Sequence, residues 1–230
     1  QADDGVVIAK GSIQKHPVVL ISIEGLFQGG SLGEVGGAKI AGALELAVED
    51  NLKGIPTAAI LLLETGGVRL QEANLGLAAI AEIQAAIVNL RQYQPVIAVV
   101  AGSVGCFGGM SIAAGLCSYI VMTQEGRLGL NGPQVIEQEA GVQEYNAKDR
   151  PFIWSITGGN QRFASGLADA YVDDDRQKIR QQVIDYLTQG VPQQHRSSNY
   201  SFYLAKLQQV DTAEQITPAQ VQALYQGEQA

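Results

Sequence analysis

Metal ligands and reactive side chains are scarce in this sequence. Its 230 residues include only two histidines and two cysteines, and neither type has the spacing of a zinc site or of another metal site. We therefore expect no bound metal ion. The two cysteines, Cys106 and Cys117, stand in apolar segments, as is typical of buried free thiols in a reducing compartment.

Long apolar runs and an excess of basic charge are also lacking. No segment approaches the roughly 20 apolar residues that span a bilayer, and residues 1–5 have neither the basic nor the apolar part of a secretion signal. The formal net charge is −8, which argues against nucleic acid as a partner. These features predict a cytoplasmic protein that binds neither membranes nor nucleic acids.

The composition is that of a folded domain, with 46% hydrophobic and 17% charged residues. Apolar runs predict strands, and apolar residues at helical spacing between them predict helices. We expect strands at 18–23, 58–63, 96–100, 119–122, 127–130 and 170–172, and helices at 40–48, 77–90, 109–116, 133–138, 151–156, 162–167 and 175–187. This alternation predicts a single α/β domain over residues 1–230, with a core at 5–190 and a helical C-terminal tail at 200–230. In that tail, Thr217-Pro218-Ala219-Gln220 predicts a capping box at the start of a helix.

Two Gly-Gly steps carry the most information about function. Gly66-Gly67 and Gly108-Gly109 each follow a predicted buried strand and precede a predicted helix. Glycine lets a ligand approach the backbone closely, and a helix start presents free N–H groups at the positive end of the helix dipole. Two such turns at the ends of neighbouring strands could direct two N–H donors at one oxygen atom. That oxyanion hole would suit a reaction through an enolate or a tetrahedral intermediate, although two ordinary tight turns would show the same spacing.

Serine hydrolysis and nucleotide binding are less well supported. Gly29-Gly30-Ser31-Leu32-Gly33 matches a nucleophile elbow, and Ser111 follows the second Gly-Gly step. Either serine would need a histidine base, and neither His16 nor His195 is convincingly placed for that role. The glycine-rich segment 25–37 contains neither a P-loop nor a clean G-x-G-x-x-G pattern, so it gives little support to a nucleotide site.

Four motifs occur between residues 20 and 140. They are Gly37-Ala38-Lys39, Thr65-Gly66-Gly67-Val68-Arg69-Leu70-Gln71-Glu72, Gly108-Gly109-Met110-Ser111 and Gly132-Pro133-Gln134-Val135-Ile136-Glu137-Gln138. In this order they resemble the acetyl-CoA carboxylase carboxyltransferase β subunit, a member of the carboxyltransferase branch of the crotonase-like superfamily. That subunit carries an N-terminal four-cysteine zinc ribbon, whose cysteines this sequence lacks. Residues 61–74 and 104–111 look most like the β-subunit family of biotin-independent malonate decarboxylases, and this resemblance extends through 154–159 and 166–170.

The resemblance implies a fold, a partner and a substrate. The implied fold is a crotonase-like α/β spiral of ββα units with a helical C-terminal extension. The implied partner is a homologous γ subunit, with the active site between the two chains, in a complex that also holds an acyl carrier protein and an acyl-carrier transferase. The implied substrate is a malonyl thioester on the phosphopantetheine-type arm of the carrier. Decarboxylation would leave an enolate, with no cofactor bound by this chain and no biotin.

The resemblance also implies roles for individual residues. Backbone N–H groups at Gly109 and near Gly67 or Val68 would stabilise the enolate, with Gly108 in the same turn. Substrate contacts are expected at Gly66, Gly29, Gly30, Cys106, Phe107 and Met110. Because this chain and carrier proteins are both acidic, contact with the carrier needs a basic patch, and Lys148, Arg150 and Arg162 are the candidates; the alternative is that they are ordinary solvated surface charges. Two other functions remain open, the acyl-binding half of a biotin-dependent carboxyltransferase and a non-catalytic scaffold subunit.

Overall fold

The computed structural model describes residues 4–211, 213 and 216–225. Its strands, in chain order, are β1 (Val6–Ile13), β2 (His16–Ile23), β3 (Ser31–Leu32), β4 (Ala58–Leu62), β5 (Gly67–Val68), β6 (Val96–Val100), β7 (Tyr119–Thr123) and β8 (Ala170–Val172). Six of them form one sheet in the order β1-β2-β4-β6-β7-β8, in which β1 is antiparallel to β2 and the other pairs are parallel. The short strands β3 and β5 pair in parallel in a second sheet.

The helices connect these strands and cover both faces of the main sheet. They are α1 (Glu34–Leu52), α2 (Asn74–Leu90), α3 (Gly109–Leu116), α4 (Pro133–Ala140), α5 (Arg150–Thr157), α6 (Gly159–Ala164), α7 (Arg176–Gln189), α8 (Tyr200–Leu207) and α9 (Pro218–Tyr225). None of the helices in the described ranges has the length and hydropathy needed to cross a bilayer.

Burial on both faces explains why the central strands are uninterrupted apolar runs. One face packs against α1, α2 and α3 through a core that includes Ile40, Ile83 and Met110. Part of the other face packs against α7, which contributes Val183 and Leu187. Strands β6 and β7 are buried along their whole length, so they position the loops that follow them.

A glycine allows the close packing of α1 against α2. A Cβ built on Gly37 would lie only 2.3 Å from Cβ of Ala79, so a larger residue would force the two helices apart. Helix α2 begins soon after the first Gly-Gly step, and this packing therefore helps to position that turn.

Most predicted elements are present, but several differ, and the short strands β3 and β5 were not predicted. Strand β1 was not predicted, because its apolar run stops at Ala9 and most of its residues are at least partly exposed at the sheet edge. The predicted strand at 127–130 is wrong, since only isolated bridges form there, from Leu128 to Cys106 and from Arg127 to Gly158. The helix predicted at 162–167 begins earlier, at Gly159, and ends before Gly166, which has a positive φ of 68°.

The C-terminal segment contains the predicted capping box. The Gln220 N–H donates to Thr217 Oγ1 at 3.3 Å, and the Thr217 N–H donates to Gln220 Oε1 at 2.8 Å. Helices α8 and α9 occupy part of the predicted helical tail, while residues 212, 214, 215 and 226–230 lie outside the described residues.

Candidate active site

The two glycine turns lie side by side, as the sequence predicted. They follow β4 and β6, which are parallel neighbours in the main sheet. Beyond the strand ends, the Thr65 N–H donates to the Gly105 carbonyl at 2.8 Å, and the Phe107 N–H donates to the Thr65 carbonyl at 3.0 Å. These bonds hold the two turns in a fixed register.

The backbones of the two turns touch at Gly67 and Gly108. A Cβ built on either residue would lie 3.1 Å from the Cα of the other. Both also have positive φ angles, 103° for Gly67 and 62° for Gly108, which other L residues rarely adopt. The backbone conformation therefore favours glycine strongly at both positions, and the tight contact adds a steric cost for any larger residue.

The predicted N–H donors differ in whether they are already used. The Gly108 N–H donates to the Leu130 carbonyl at 2.7 Å, and the Gly67 N–H donates to Thr65 Oγ1 at 3.0 Å. Gly109 is the first residue of α3, and its N–H has no partner within the described chain. A Cβ built on Gly108 would lie 3.8 Å from the Val68 nitrogen, so the peptide of Val68 adjoins the same turn.

The remaining predicted contact residues fall into two groups. Gly29 and Gly66 are exposed and joined, because the Gly66 N–H donates to the Gly29 carbonyl at 3.0 Å. Gly30 is buried, and a Cβ built on it would lie 1.9 Å from a backbone oxygen. The second group has buried side chains that support the second turn from within the protein: Cys106, Phe107 and Met110.

Burial also makes both cysteines unreactive. It raises the pKa of the Cys106 thiol far above its usual range and raises that of Cys117 to about 12. Both thiols therefore stay protonated at neutral pH, and neither is an activated nucleophile.

An arginine that the sequence analysis did not single out fixes the first turn. Arg69 is 6% exposed; it donates to the Ser31 carbonyl and to Glu72 Oε1, both at 2.9 Å, and lies over the Phe27 ring. Glu72 also accepts the N–H of Glu34, the first residue of α1, at 2.7 Å. That N–H, with Arg69, lowers the pKa of the Glu72 carboxyl. The sequence could have indicated this ion pair, because Arg69 and Glu72 are three residues apart in the motif that follows the first Gly-Gly step.

A second arginine supports the other turn. Arg127 donates through Nη2 to the carbonyls of Ser103 at 2.5 Å and Val104 at 3.2 Å. Its guanidinium lies 5.5 Å from the centre of the Phe107 ring and 4.4 Å from that of Trp154. Arg127 therefore joins the loop after β6 to α5.

The predicted carrier-binding residues do not form one exposed patch. Lys148 and Arg150 are exposed, and Arg150 forms an ion pair with Glu125 at 2.5 Å. Arg162 is partly buried and donates through Nε to the Leu128 carbonyl at 2.7 Å, so it serves the fold. Its burial lowers the pKa of the guanidinium.

The structure provides no support for a serine triad. Ser111 Oγ donates to the Gly108 carbonyl at 2.7 Å, and Ser31 Oγ accepts from Arg69 at 3.4 Å. Neither serine bonds to a histidine in the part of the chain that is described. The same residues contain no cluster of His, Cys, Asp and Glu that could hold a metal ion.

A mostly parallel sheet with adjoining glycine turns at its strand ends, and helices after each turn, agrees with the crotonase-like fold expected from the sequence. The chain belongs to the carboxyl transferase domain family, whose model matches residues 1–228.

Two relatives indicate its place within that family. The chain is 42% identical over 189 residues to the malonyl-S-ACP:biotin-protein carboxyltransferase MADC of Malonomonas rubra, covering 78% of this chain and 59% of that protein. The chain thus spans less than two thirds of that curated relative. It is 69% identical to a chain in a structure of a Pseudomonas malonate decarboxylase hetero-tetramer in complex with malonate, with a TM-score of 0.95 over 98% of this chain and 82% of that one.

The fold also occurs in a more distant chain of such an assembly. A chain of a Pseudomonas malonate decarboxylase hetero-tetramer in complex with coenzyme A matches at 14% identity, with a TM-score of 0.69 over 89% of this chain and 90% of that one. At this identity the match concerns the fold alone.

Proposed function

We propose that this chain is the β-type subunit of a malonate decarboxylase, which converts a malonyl thioester on an acyl carrier protein into an acetyl thioester and CO₂. The observation that carries the proposal is the free Gly109 N–H at the start of α3, beside the backbone contact between Gly67 and Gly108. The 69% identity to a malonate decarboxylase chain supports the choice of substrate.

The reaction needs a site for negative charge. When the bond between the malonyl Cα and its carboxylate breaks, the electron pair moves onto the thioester and CO₂ leaves. The charge of the resulting enolate collects on the thioester oxygen, and protonation of the carbon then gives acetyl thioester. Backbone donors that already point at this oxygen stabilise the enolate without reorganising.

We assign the donors to Gly109 and Val68. The N–H groups of Gly67 and Gly108 are already bonded within the chain, so these two glycines act by letting the turns meet. The dipole of α3 adds positive potential at Gly109. This assignment needs no ionisable side chain at the reacting oxygen.

The exposure of the remaining site residues decides which of them we propose as substrate contacts. Gly66 and Gly29 form an exposed backbone surface without side chains, along which a pantetheine arm can pass closely. Gly30 lies beneath that surface. The buried Cys106, Phe107 and Met110 keep the second turn in place.

The proposed assembly includes a homologous partner subunit, an acyl carrier protein and its acyl-carrier transferase, without biotin. The 14% match to a chain of a hetero-tetramer is consistent with a partner that has the same fold. The first test is to purify the native complex and identify its chains and prosthetic groups by mass spectrometry. We expect a homologous subunit, a carrier with a phosphopantetheine-type group, and release of CO₂ from malonyl carrier only by the assembled complex.

A biotin-dependent carboxyltransferase is the second candidate, because the 42% identical relative is named for transfer to a biotin protein. The two candidates differ in where the CO₂ goes. A biotinylated protein in the complex, and loss of activity when avidin is added, would favour transfer to biotin over release of CO₂.

A further inference from the structure

A cavity of about 660 Å³ lies at the N-terminal ends of strands β7 and β8. The glycine turns lie at the opposite ends of the strands of the same sheet. Tyr119 at the start of β7 and Asp169 just before β8 line it, whereas the glycine turns follow the C-terminal ends of β4 and β6. The loop after α7 adds His195 and Arg196 to the wall. The cavity is therefore separate from the candidate active site.

Two neighbouring residues of this wall have unused polar atoms. His195 Nδ1 and Arg196 Nη1 are buried, and neither has a hydrogen-bond partner among the described residues. The Arg196 side chain is only 10% exposed, and its Nη2 donates to Asp169. Because buried polar atoms in folded proteins are nearly always paired, these two nitrogens indicate a partner that the described chain does not supply.

The surroundings of the cavity also carry excess positive charge. Behind it, Arg91 is buried and donates to a backbone carbonyl at 2.5 Å and to Ser197 Oγ at 2.9 Å, which are both neutral. Asp169 pairs with Arg196, whereas among the described residues Arg91 donates only to these neutral oxygens. Burial, together with Arg91 and Arg196, lowers the pKa of His195, which is therefore neutral at pH 7. The buried Arg91 guanidinium, which has no ion-pair partner among the described residues, favours a negatively charged ligand beside Arg196.

Aromatic rings form another part of the wall. Tyr119 and Tyr186 stack with their centroids 4.0 Å apart, and Phe202 and Tyr203 pack edge to face beside them. The hydroxyls of Tyr119 and Tyr203 already donate to the carbonyls of Gly190 and Gly166. Tyr119 and Tyr203 therefore offer the cavity an apolar ring surface rather than a further donor.

We propose that this cavity binds a small organic carboxylate, whose charged group pairs with Arg196 and His195 and whose apolar part lies against the tyrosine rings. Arg196 Nη1 donates to one carboxylate oxygen, and Nδ1 of the neutral His195, in the tautomer that carries its proton there, donates to the other. Arg196 lines the cavity, so a rotation of its side chain brings Nη1 to the ligand.

Benzoate and benzamide form a matched pair of probes, because they share a shape and differ in charge. Their binding to the full chain is measured by ligand-observed NMR and calorimetry at low salt. We expect benzoate to bind and benzamide to bind at least about tenfold more weakly, since a lost charge-assisted pair is worth about 1.4 kcal/mol or more. Arg196→Gln should abolish benzoate binding, whereas the exposed Arg176→Gln, which makes the same change in net charge, should not.

Arg196→Gln leaves Asp169 without its partner and can fail to fold, so a second variant is needed. Gln193 is exposed and lines the cavity. Gln193→Glu should weaken benzoate binding about fivefold at low salt, with less effect at high salt. The exposed Gln177→Glu on α7 is its control and should change nothing.

Three results would overturn the proposal. They are no benzoate binding to the wild-type chain, equal binding of benzoate and benzamide, and equal effects of Gln193→Glu and Gln177→Glu. Malonyl-thioester decarboxylation by the assembled complex is measured with the same variants, and we expect Gln193→Glu to leave it unchanged. Failure of the carboxylate site therefore leaves the proposed decarboxylase function standing, and the reverse also holds.

Discussion

Gly67 and Gly108 come from loops after two different strands, and their backbones are in direct contact. A Cβ built on either residue would lie 3.1 Å from the Cα of the other, which is closer than most Cβ contacts. The contact sets how far apart the peptides of Val68 and Gly109 lie. A change at either glycine should therefore affect both the stability of the fold and the geometry of the proposed oxyanion hole.

The first prediction concerns the stability contributed by this contact. Gly67→Ala adds a Cβ against Gly108 and forces alanine to a φ of 103°, so it should destabilise the chain by about 1–3 kcal/mol. The matched control is Gly42→Ala in α1, where a Cβ would meet nothing within 4 Å. That control should stabilise the chain by about 0.5–1 kcal/mol. Denaturant unfolding measures both, and equal free energies of unfolding for the two variants would contradict the contact.

The second prediction concerns the donor at Gly109. Gly109→Pro removes the N–H, and the first turn of a helix accepts proline. Because a Cβ at this position would lie 2.9 Å from Ile80 Cγ2, Gly109→Ala, which adds the same Cβ and keeps the N–H, is made beside it. In the assembled complex Gly109→Pro should lower kcat about 10²–10³-fold, with a much smaller effect on KM. Gly108→Val should also raise KM, because the valine side chain would obstruct the approach of the thioester to the turn.

Circular dichroism and co-elution of the subunits are the controls for Gly109→Pro. Gly115→Ala, in the same helix, adds a Cβ that meets nothing within 4 Å and should keep normal activity. A folded and assembled Gly109→Pro variant with wild-type kcat would show that the enolate is not stabilised by the Gly109 N–H. The partner subunit would then be the source of the stabilising donor.

The sequence predicted the elements around the site because their signals are local. Strand 96–100 and helix 109–116 were predicted at their observed bounds, since an apolar run and a glycine step mark them. The sequence could not show which of the backbone N–H groups in these turns are already hydrogen-bonded within the chain. The bond from Gly108 to Leu130 joins residues that are distant in sequence, and Thr65 Oγ1 competes for the Gly67 N–H only in the folded turn.

The third prediction separates decarboxylation from serine hydrolysis. Ser111 Oγ donates to the Gly108 carbonyl and Ser31 Oγ accepts from Arg69, so neither hydroxyl is paired with a base. Ser31→Ala and Ser111→Ala should each keep activity within about threefold, because a lost local hydrogen bond costs about 0.5–1.5 kcal/mol of stability and no chemistry. A fluorophosphonate that labels either serine and stops the reaction would restore the hydrolase hypothesis.

The fourth prediction concerns contact with the carrier protein. Lys148 and Arg150 are exposed, and Arg150 is paired with Glu125. Replacing both with glutamate should raise the KM for malonyl carrier several-fold at low salt, and the effect should fade as salt is added. The control is the double change of Lys15 and Lys53 to glutamate. It matches the test pair because Lys53, like Arg150, has an acidic partner (Glu49), whereas Lys15, like Lys148, has no ion pair among the described residues. An equal rise in KM in both double variants would show a general charge effect rather than a docking site.

The fifth prediction concerns pH and tests the support of the first turn by Glu72. The N–H of Glu34, together with Arg69, lowers the pKa of Glu72 below its ordinary value of 4.5. A carboxyl whose pKa is lower in the folded chain stabilises the fold above the unfolded value and loses that contribution as pH falls through the folded value. Glu72→Gln should therefore be less stable than wild type at pH 7, and the difference should shrink as pH falls below 4.5.

Urea unfolding at pH values from about 7 down to 3 measures this difference. The matched control is Glu82→Gln, an exposed position on α2 that makes the same change in charge outside the turn. We expect little difference from wild type for this control across the range. A stability loss in Glu72→Gln that stays constant down to pH 3 would mean that the side chain acts there by packing alone, and that its charge does not hold Arg69 and the start of α1 together.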